Sequence, residues 1–298
     1  MRLLITGAWS EAKRCFSDLE ANGHEIQFMQ QERDELPCDP AWVEGVVCNG
    51  LFLYHPIELF PNLRFIQLTS AGYDRVDMEY VKAHDIEIHN ARGVYSIPMA
   101  EFALAGVLQL YKQSRFFYEN QKAHRWEKRR DLMELSGKTV LIVGCGDLGT
   151  ECAKRFRAFG CKAIGVNRSV RENPAFSEFY PLAELDNLLP RADIVLLTLG
   201  LDSSTRHLMD AERFARMKPG AVLVNLARGS LVDTAALLPA LGRLGGAALD
   251  VFEEEPLPAD NPLWNKENVI LTPHNSFVGE GNGARLNVLI RNNIHNTI

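Results

Sequence analysis

The stretch Thr139-Val-Leu-Ile-Val-Gly-Cys-Gly-Asp-Leu-Gly-Thr150 constrains this chain more than any other. A run of β-formers without polar alternation suits a strand buried on both faces. The residues that follow, Asp147 to Phe159, read as a helix. Three glycines sit at the junction. Gly144 permits a tight turn, Gly146 removes a Cβ where backbone N–H groups must approach a pyrophosphate, and Gly149 lets helix and strand pack closely. The helix N-terminus behind them favours an anion. An ordinary glycine-rich βα turn is the competing reading, but the strand-to-helix context is the one a dinucleotide site needs. Gly144, Gly146, Asp147, Leu148 and Gly149 are therefore expected to contact a dinucleotide.

The chain has 298 residues, long for one α/β core, so two domains are expected. A hydrophobic content of 46% allows a sizeable core, and the net charge of −6 argues against nucleic acid as main partner. The basic cluster from Lys122 to Arg130 is interrupted by Glu127 and reads as a solvated face. Six cysteines show neither CxxC nor metal-ligand spacing, so no metal is expected and the cysteines read as small apolar residues in a reducing compartment. No apolar run approaches the roughly 18 residues of a membrane span, and the N-terminus lacks a leader-like apolar core. A cytoplasmic protein without a membrane partner is expected.

Residues 1 to about 94 read as a small α/β unit with strands Arg2–Thr6, Glu25–Met29, Val43–Cys48, Leu63–Leu68 and Ile86–His89, and a helix Ser10–Asn22. Two loops in it are candidate ligand contacts. Thr69-Ser-Ala-Gly-Tyr-Asp74 combines small residues with Gly72, leaving N–H groups open to an anion, unless it is a simple turn. Asn49 to Pro56 would present Leu51 and Phe52 at the same edge. From Ser96 the pattern becomes a long helix, Pro98 to Tyr111 and onward, apolar almost all round. Such a helix must be buried between layers or against another subunit, so the segment near 98–118 is the expected homodimer surface. Trp126 is expected to pack. Strands Ala163–Val166, Asp193–Thr198, Ala221–Leu226, Gly246–Val251 and Asn268–Leu271, separated by helices such as Leu182–Leu189 and Thr234–Leu241, imply a doubly wound parallel sheet.

Three reactive groups follow three of those strands: Arg228, Glu255 and His274. In a parallel sheet all carboxyl ends share the edge that carries the Gly144 turn. Singly, each has a bland reading: a surface ion pair for Arg228, one of three adjacent solvated carboxylates for Glu255, a structural hydrogen-bonder for His274. Their joint placement favours catalysis. Arginine offers a planar fork for a substrate carboxylate. A carboxylate beside an imidazole favours the protonated ring, which can donate to a carbonyl oxygen. A 2-keto acid, with a carboxylate next to the reacting carbonyl, satisfies both groups.

At these residues the sequence resembles the D-isomer-specific 2-hydroxyacid dehydrogenase family. The resemblance runs through Ser70-Ala-Gly-Tyr-Asp74, Met99-Ala-Glu101, Gly144-Cys-Gly-Asp-Leu-Gly149, Asn225-Leu-Ala-Arg-Gly229 with Val232-Asp233, Ala248-Leu-Asp-Val-Phe-Glu-Glu-Glu-Pro256 and Thr272-Pro-His274. It implies a catalytic set of Arg228, Glu255 and His274, substrate carboxylate contacts from the backbone of Ala71 and Gly72, and a carboxamide contact from Asp250 to the nicotinamide; Leu51 and Arg228 are further expected substrate contacts and Ala227 a further expected cofactor contact. It also implies a Rossmann domain, residues 95–275, inserted into a smaller flavodoxin-like α/β substrate domain of residues 1–94 and 276–298, and a homodimer. Departures follow His274, where Asn275-Ser-Phe-Val278 replaces the family's usual apolar residue and glycines. The chain also ends at Ile298, earlier than many relatives, so a short return segment is expected. Proteins resembling formate dehydrogenases should carry glutamine where Glu255 stands, which disfavours that reading. A corepressor-like dinucleotide sensor is the alternative from another class.

An acidic residue about 20 positions beyond the glycines would hydrogen-bond an NAD ribose and repel a 2′-phosphate. Here Asn167 stands in that place, followed by Arg168 and Ser169. This predicts NADPH over NADH, unless Arg168 only stacks on the adenine.

Overall fold

The computed structural model describes residues 1–169 and 173–297. They form two compact units, Met1–Tyr95 with Gly279–Ile298, and Ser96–Val278. The first opens with β1 (Arg2–Thr6), α1 (Ala12–Ala21), β2 (Glu25–Met29), β3 (Gly45–Cys48), β4 (Phe65–Leu68), α2 (Met78–Ala83) and β5 (Glu87–His89). Its strands are all parallel in the order β2-β1-β3-β4-β5, the flavodoxin-like arrangement. β1 shows why the sequence there is apolar without alternation: Leu3 and Ile5 pack into one core layer and Leu4 into the other, so both faces are covered.

The second unit holds α3 (Ser96–Tyr111), α4 (Ser114–Lys122), β6 (Thr139–Val143), α5 (Asp147–Ala158), β7 (Lys162–Asn167), β8 (Glu178–Pro181), α6 (Leu185–Leu188), β9 (Ile194–Leu197), α7 (Ala211–Arg216), β10 (Val222–Asn225), α8 (Thr234–Ala240), β11 (Gly246–Leu249) and β12 (Val269–Leu271). The sheet is parallel with strand order β12-β11-β10-β9-β6-β7-β8. Strand order reverses between β6 and β9, which makes the crevice beyond their carboxyl ends the place where ligands bind in such sheets. One apolar layer, with Phe214 and Leu237, covers one face, and a second, with Phe156 and Val107, covers the other.

The chain then returns to the first unit as α9 (Asn282–Asn296). Leu286, Ile290 and Ile294, spaced four apart, pack against Leu3 and Ile5. The return segment is thus a full helix, with Ile298, its expected end, outside the described residues. Its start also differs from expectation. Residues 276–278 belong with the second unit, because the Ser276 amide donates to the buried Asp250 at 2.9 Å.

The expected helix beyond Tyr111 is interrupted at Gln113, whose backbone is left-handed. The apolar character of α3 is used inside its own unit: Ala100, Ala103, Val107 and Leu110 are buried on the sheet, and Gly106 lies so close to Ala248 that a Cβ would sit 2.8 Å from it. Trp126 does not pack. It is 95% exposed, because residues 125–134 carry no helix or strand that would direct one face inward. β8 escapes sequence reading because it is a four-residue edge strand ending in proline. No helix among the described residues is long and apolar enough to cross a membrane.

His24, at the start of the first unit's second strand, is only 3% exposed. Burial holds its pKa below the ordinary 6.5. The unfolded chain therefore takes up the proton first as pH falls through 6.5, and the stability supplied by the neutral ring is present above that pH and lost below it. The urea midpoint should drop between about pH 7 and pH 5, and drop less in His24→Phe. An identical pH slope in the variant would refute this role.

Candidate functional site

The glycine turn after β6 has the geometry a dinucleotide needs. Gly144 is at φ +107, and a Cβ on it would fall 2.5 Å from the Leu199 nitrogen. A Cβ on Gly149 would meet the Gly144 carbonyl oxygen at 2.1 Å, whereas Gly146 has nothing within 4 Å. Side-chain removal is thus required for packing at two positions and leaves open space at the third. Gly146 is the N-cap of α5, whose first N–H groups have no intrahelical acceptor. Asp147 and Leu148, both partly exposed, begin that helix.

At the end of β7, Asn167 donates to the Ser169 carbonyl at 3.3 Å. Arg168 forms an ion pair with Asp202, and the same nitrogen lies 3.2 Å from the Ser204 hydroxyl. Asp202 follows β9, and the sequence reading did not single it out. Hydrogen bonds from Ser204 and then from Arg168 hold its carboxyl well below the usual range.

Arg228, Glu255 and His274 follow the adjacent strands β10, β11 and β12. Buried Asn225 ends β10 and clamps the first loop: its side chain accepts from the Ala227 amide at 3.1 Å and donates to the Arg228 carbonyl at 2.9 Å. An Arg228 guanidinium nitrogen donates to the Ala227 carbonyl at 2.8 Å. Gly229 then meets the next loop. A Cβ there would lie 1.9 Å from the Phe252 carbonyl carbon and oxygen, so only glycine lets the Arg228 loop rest on the backbone that leads to Glu255.

Two of the three adjacent carboxylates, Glu253 and Glu255, take different partners. Glu255 Oε1 accepts from the Phe252 amide at 2.9 Å, and Oε2 lies 2.8 Å from His274 Nδ1. Glu253 pairs instead with His207 Nε2 at 2.6 Å and accepts from the Thr234 amide at 2.9 Å. Burial pushes the Glu253 carboxyl up, but these hydrogen bonds outweigh it and leave it below the ordinary value. His207 and Glu253 therefore brace the loop that carries Glu255, a role no sequence signal marked.

Asp250, 1% exposed, fixes the His274 segment. Its carboxylate accepts from the Thr272 hydroxyl at 2.7 Å, the Asn275 amide at 2.8 Å and the Ser276 amide at 2.9 Å. Its carbonyl accepts from the His274 amide at 2.8 Å. His274 itself is left-handed, φ 49. Beside the Glu255–His274 pair lies a cavity of about 520 Å3, walled by Phe252, Leu257, Trp264 and Leu271.

In the first unit, the carbonyls of Ala71 and Gly72 accept from Asn90 at 2.6 Å and Ser70 at 3.0 Å, which fixes the peptide planes of that loop. Leu51 departs from expectation. Its side chain is fully buried in the core with Ile66 and Leu68, because the turn after β3 folds inward, and so it packs rather than presents itself to a ligand.

Gly229→Ala should lower stability by about 2–3 kcal/mol, the scale of overpacking in a filled site, and cut turnover as the Arg228 and Glu255 loops separate. Thermal melting and steady-state assays check both; a variant with wild-type melting and turnover would show that the loops do not depend on this contact.

Comparison with known proteins identifies the family. The sequence profile for D-isomer specific 2-hydroxyacid dehydrogenase, NAD binding domain, matches residues 104–276. The (S)-sulfolactate dehydrogenase of Chromohalobacter salexigens is 36% identical over 80% of this chain and 79% of that protein. The glyoxylate reductase of Korarchaeum cryptofilum is 33% identical over 80% of this chain and 74% of its own length. Among solved structures, a D-isomer specific 2-hydroxyacid dehydrogenase from Xanthobacter autotrophicus Py2, in complex with NADPH and MES, superposes with a TM-score of 0.79 at 30% identity, covering 97% of this chain and 92% of that one. The chain belongs to the D-isomer-specific 2-hydroxyacid dehydrogenase family and is an NAD(P)-dependent oxidoreductase of 2-keto and D-2-hydroxy acids.

Proposed function

We propose that the protein is an NADPH-preferring reductase that converts small 2-keto acids, of the glyoxylate, hydroxypyruvate or phenylpyruvate type, to D-2-hydroxy acids. The observation that carries the reading is the 2.8 Å contact between Glu255 Oε2 and His274 Nδ1. With Nδ1 held, Nε2 is the nitrogen left for substrate. In the imidazolium form it donates its proton to the carbonyl oxygen and the ring becomes neutral, still held at Nδ1 by Glu255. Arg228 fixes the substrate carboxylate through its fork, and the family resemblance implies a carboxylate contact from the backbone of Ala71 and Gly72. The nicotinamide cofactor, when bound, supplies the hydride.

The backbone of the Gly144–Gly149 turn would hold the pyrophosphate, with Ala227 and Asp250 toward the nicotinamide. Three donors leave the Asp250 carboxylate capacity for a carboxamide N–H, since it offers about four acceptor positions. Support for NADPH comes from Asn167, Arg168 and Ser169 in place of an acid at the end of β7, and from the Xanthobacter relative that binds it. The reductase names among the relatives support glyoxylate and hydroxypyruvate. The exposed Tyr118 on α4 and Trp126 in the segment after it are consistent with a homodimer through this region.

His274→Ala should lower kcat by about a thousandfold, within the range general acid catalysis supplies, while NADPH still binds by fluorescence titration. Arg228→Ala should chiefly raise KM for the keto acid. Both are read in a keto-acid panel followed by NADPH absorbance with NADH in parallel. Near wild-type turnover in both variants sinks the catalytic assignment; a clear NADH preference sinks the cofactor one.

A further inference from the structure

We propose that Asp202 is a cofactor-specificity residue: it acts as an internal stand-in for the 2′-phosphate, holding Arg168 across the mouth of the glycine turn until the phosphate displaces it. The inference rests on the reading that Arg168 receives that phosphate.

The topology makes the pair a clasp. Strand order runs β9-β6-β7, so the strand that delivers the glycine turn lies between the strand that delivers Arg168 and the one that delivers Asp202. Neighbouring strands are about 4.8 Å apart, and an ion pair joining the outer two must pass over the carboxyl end of the middle one. That is where the adenosine half of a dinucleotide arrives.

The Asp202 side of the clasp is rigid. Its Oδ1 accepts from the Ser204 amide at 2.8 Å and the Ser204 hydroxyl at 2.7 Å. Its own amide donates to Thr205 Oγ1 at 2.8 Å, and that buried hydroxyl donates to the Gly200 carbonyl at 3.1 Å. The turn thus fixes one carboxylate oxygen and presents the other, Oδ2, to Arg168. Arg168 is the adaptable member: its side chain is 57% exposed, against 42% for Asp202, and it sits on a long flexible stem.

The two cofactors meet this arrangement differently. A ribose 2′-hydroxyl is neutral and leaves the pair intact. A 2′-phosphate must draw the guanidinium from Asp202 or share it, and in either case it lies near a carboxylate that its own turn holds in place. Asp202 therefore weakens NADPH binding selectively and keeps the chain less discriminating than Arg168 alone would make it.

Asp202→Asn keeps an oxygen for the Ser204 contacts and removes the charge. Dissociation constants of NADPH and NADH for the full chain, from nicotinamide fluorescence, should show the affinity ratio moving toward NADPH by about fivefold, the screened effect of deleting one charge several ångströms from a phosphate dianion. Asp202→Ser, with melting temperature checked, should shift the ratio the same way. A ratio that stays constant or moves toward NADH in both variants overturns the proposal. The underlying cofactor reading is tested apart from this, by Arg168→Ala: selective loss of NADPH affinity supports it, and equal loss for both cofactors overturns it. A wild-type preference for NADH combined with the Asp202→Asn shift overturns only the preference and supports the clasp.

Discussion

A buried carboxylate at the end of β11 is what the candidate site depends on. An ionised group out of water is costly unless donors surround it, and Asp250 has the Thr272 hydroxyl and the Asn275 and Ser276 amides. Those donors come from the segment after β12, so satisfying the charge also draws that segment across the neighbouring strand end. His274 is caught in the middle. Its left-handed backbone costs on the order of 1–2 kcal/mol for a non-glycine residue, and the hydrogen bonds on both sides of it offset that cost. The ring is then placed by backbone geometry before Glu255 touches it.

The same economy runs along the rest of the edge. Asn225 clamps the Arg228 loop, Gly229 seats it on the Phe252 backbone, and the Phe252 amide in turn holds Glu255 Oε1. Arginine, carboxylate and imidazole thus come from three loops that brace one another in strand order. His207 and Glu253 add a tie from the side, anchoring the loop to the start of α8. A change at any of these contacts reaches Arg228, Glu255 or His274 without touching them.

Much of this was legible in the sequence because burial on both faces leaves unbroken apolar runs, and the central strands of both sheets, such as β3, β6, β9 and β10, have them. Reactive residues just past such runs must share an edge, so Arg228, Glu255 and His274 could be grouped without coordinates. What the sequence hid depended on contacts between distant loops. Nothing in three consecutive glutamates says that Glu253 turns to His207 and Glu255 to His274. Leu51 read as an exposed loop residue because periodicity does not register a turn that folds inward. Trp126 read as packed because aromatic residues commonly are, whereas its segment has no regular structure to bury it. β8 is too short for periodicity to mark, and the α9 seam shows only once β1 supplies the surface it covers.

Arg168 and Asp202 illustrate a further limit, and a division of labour. An arginine after the second strand suggests a phosphate ligand, but its charge is meaningful only relative to its neighbours, and the decisive neighbour arrives from β9, 34 residues on. Exposed ion pairs contribute little to stability, so this one can exchange partners without endangering the fold. The Asp250 network cannot, because each of its donors satisfies a buried charge. The contacts that place His274 are therefore locked by burial, while the Arg168–Asp202 pair remains exchangeable. The surface pair and the buried network around His274 are thus held by separate sets of contacts.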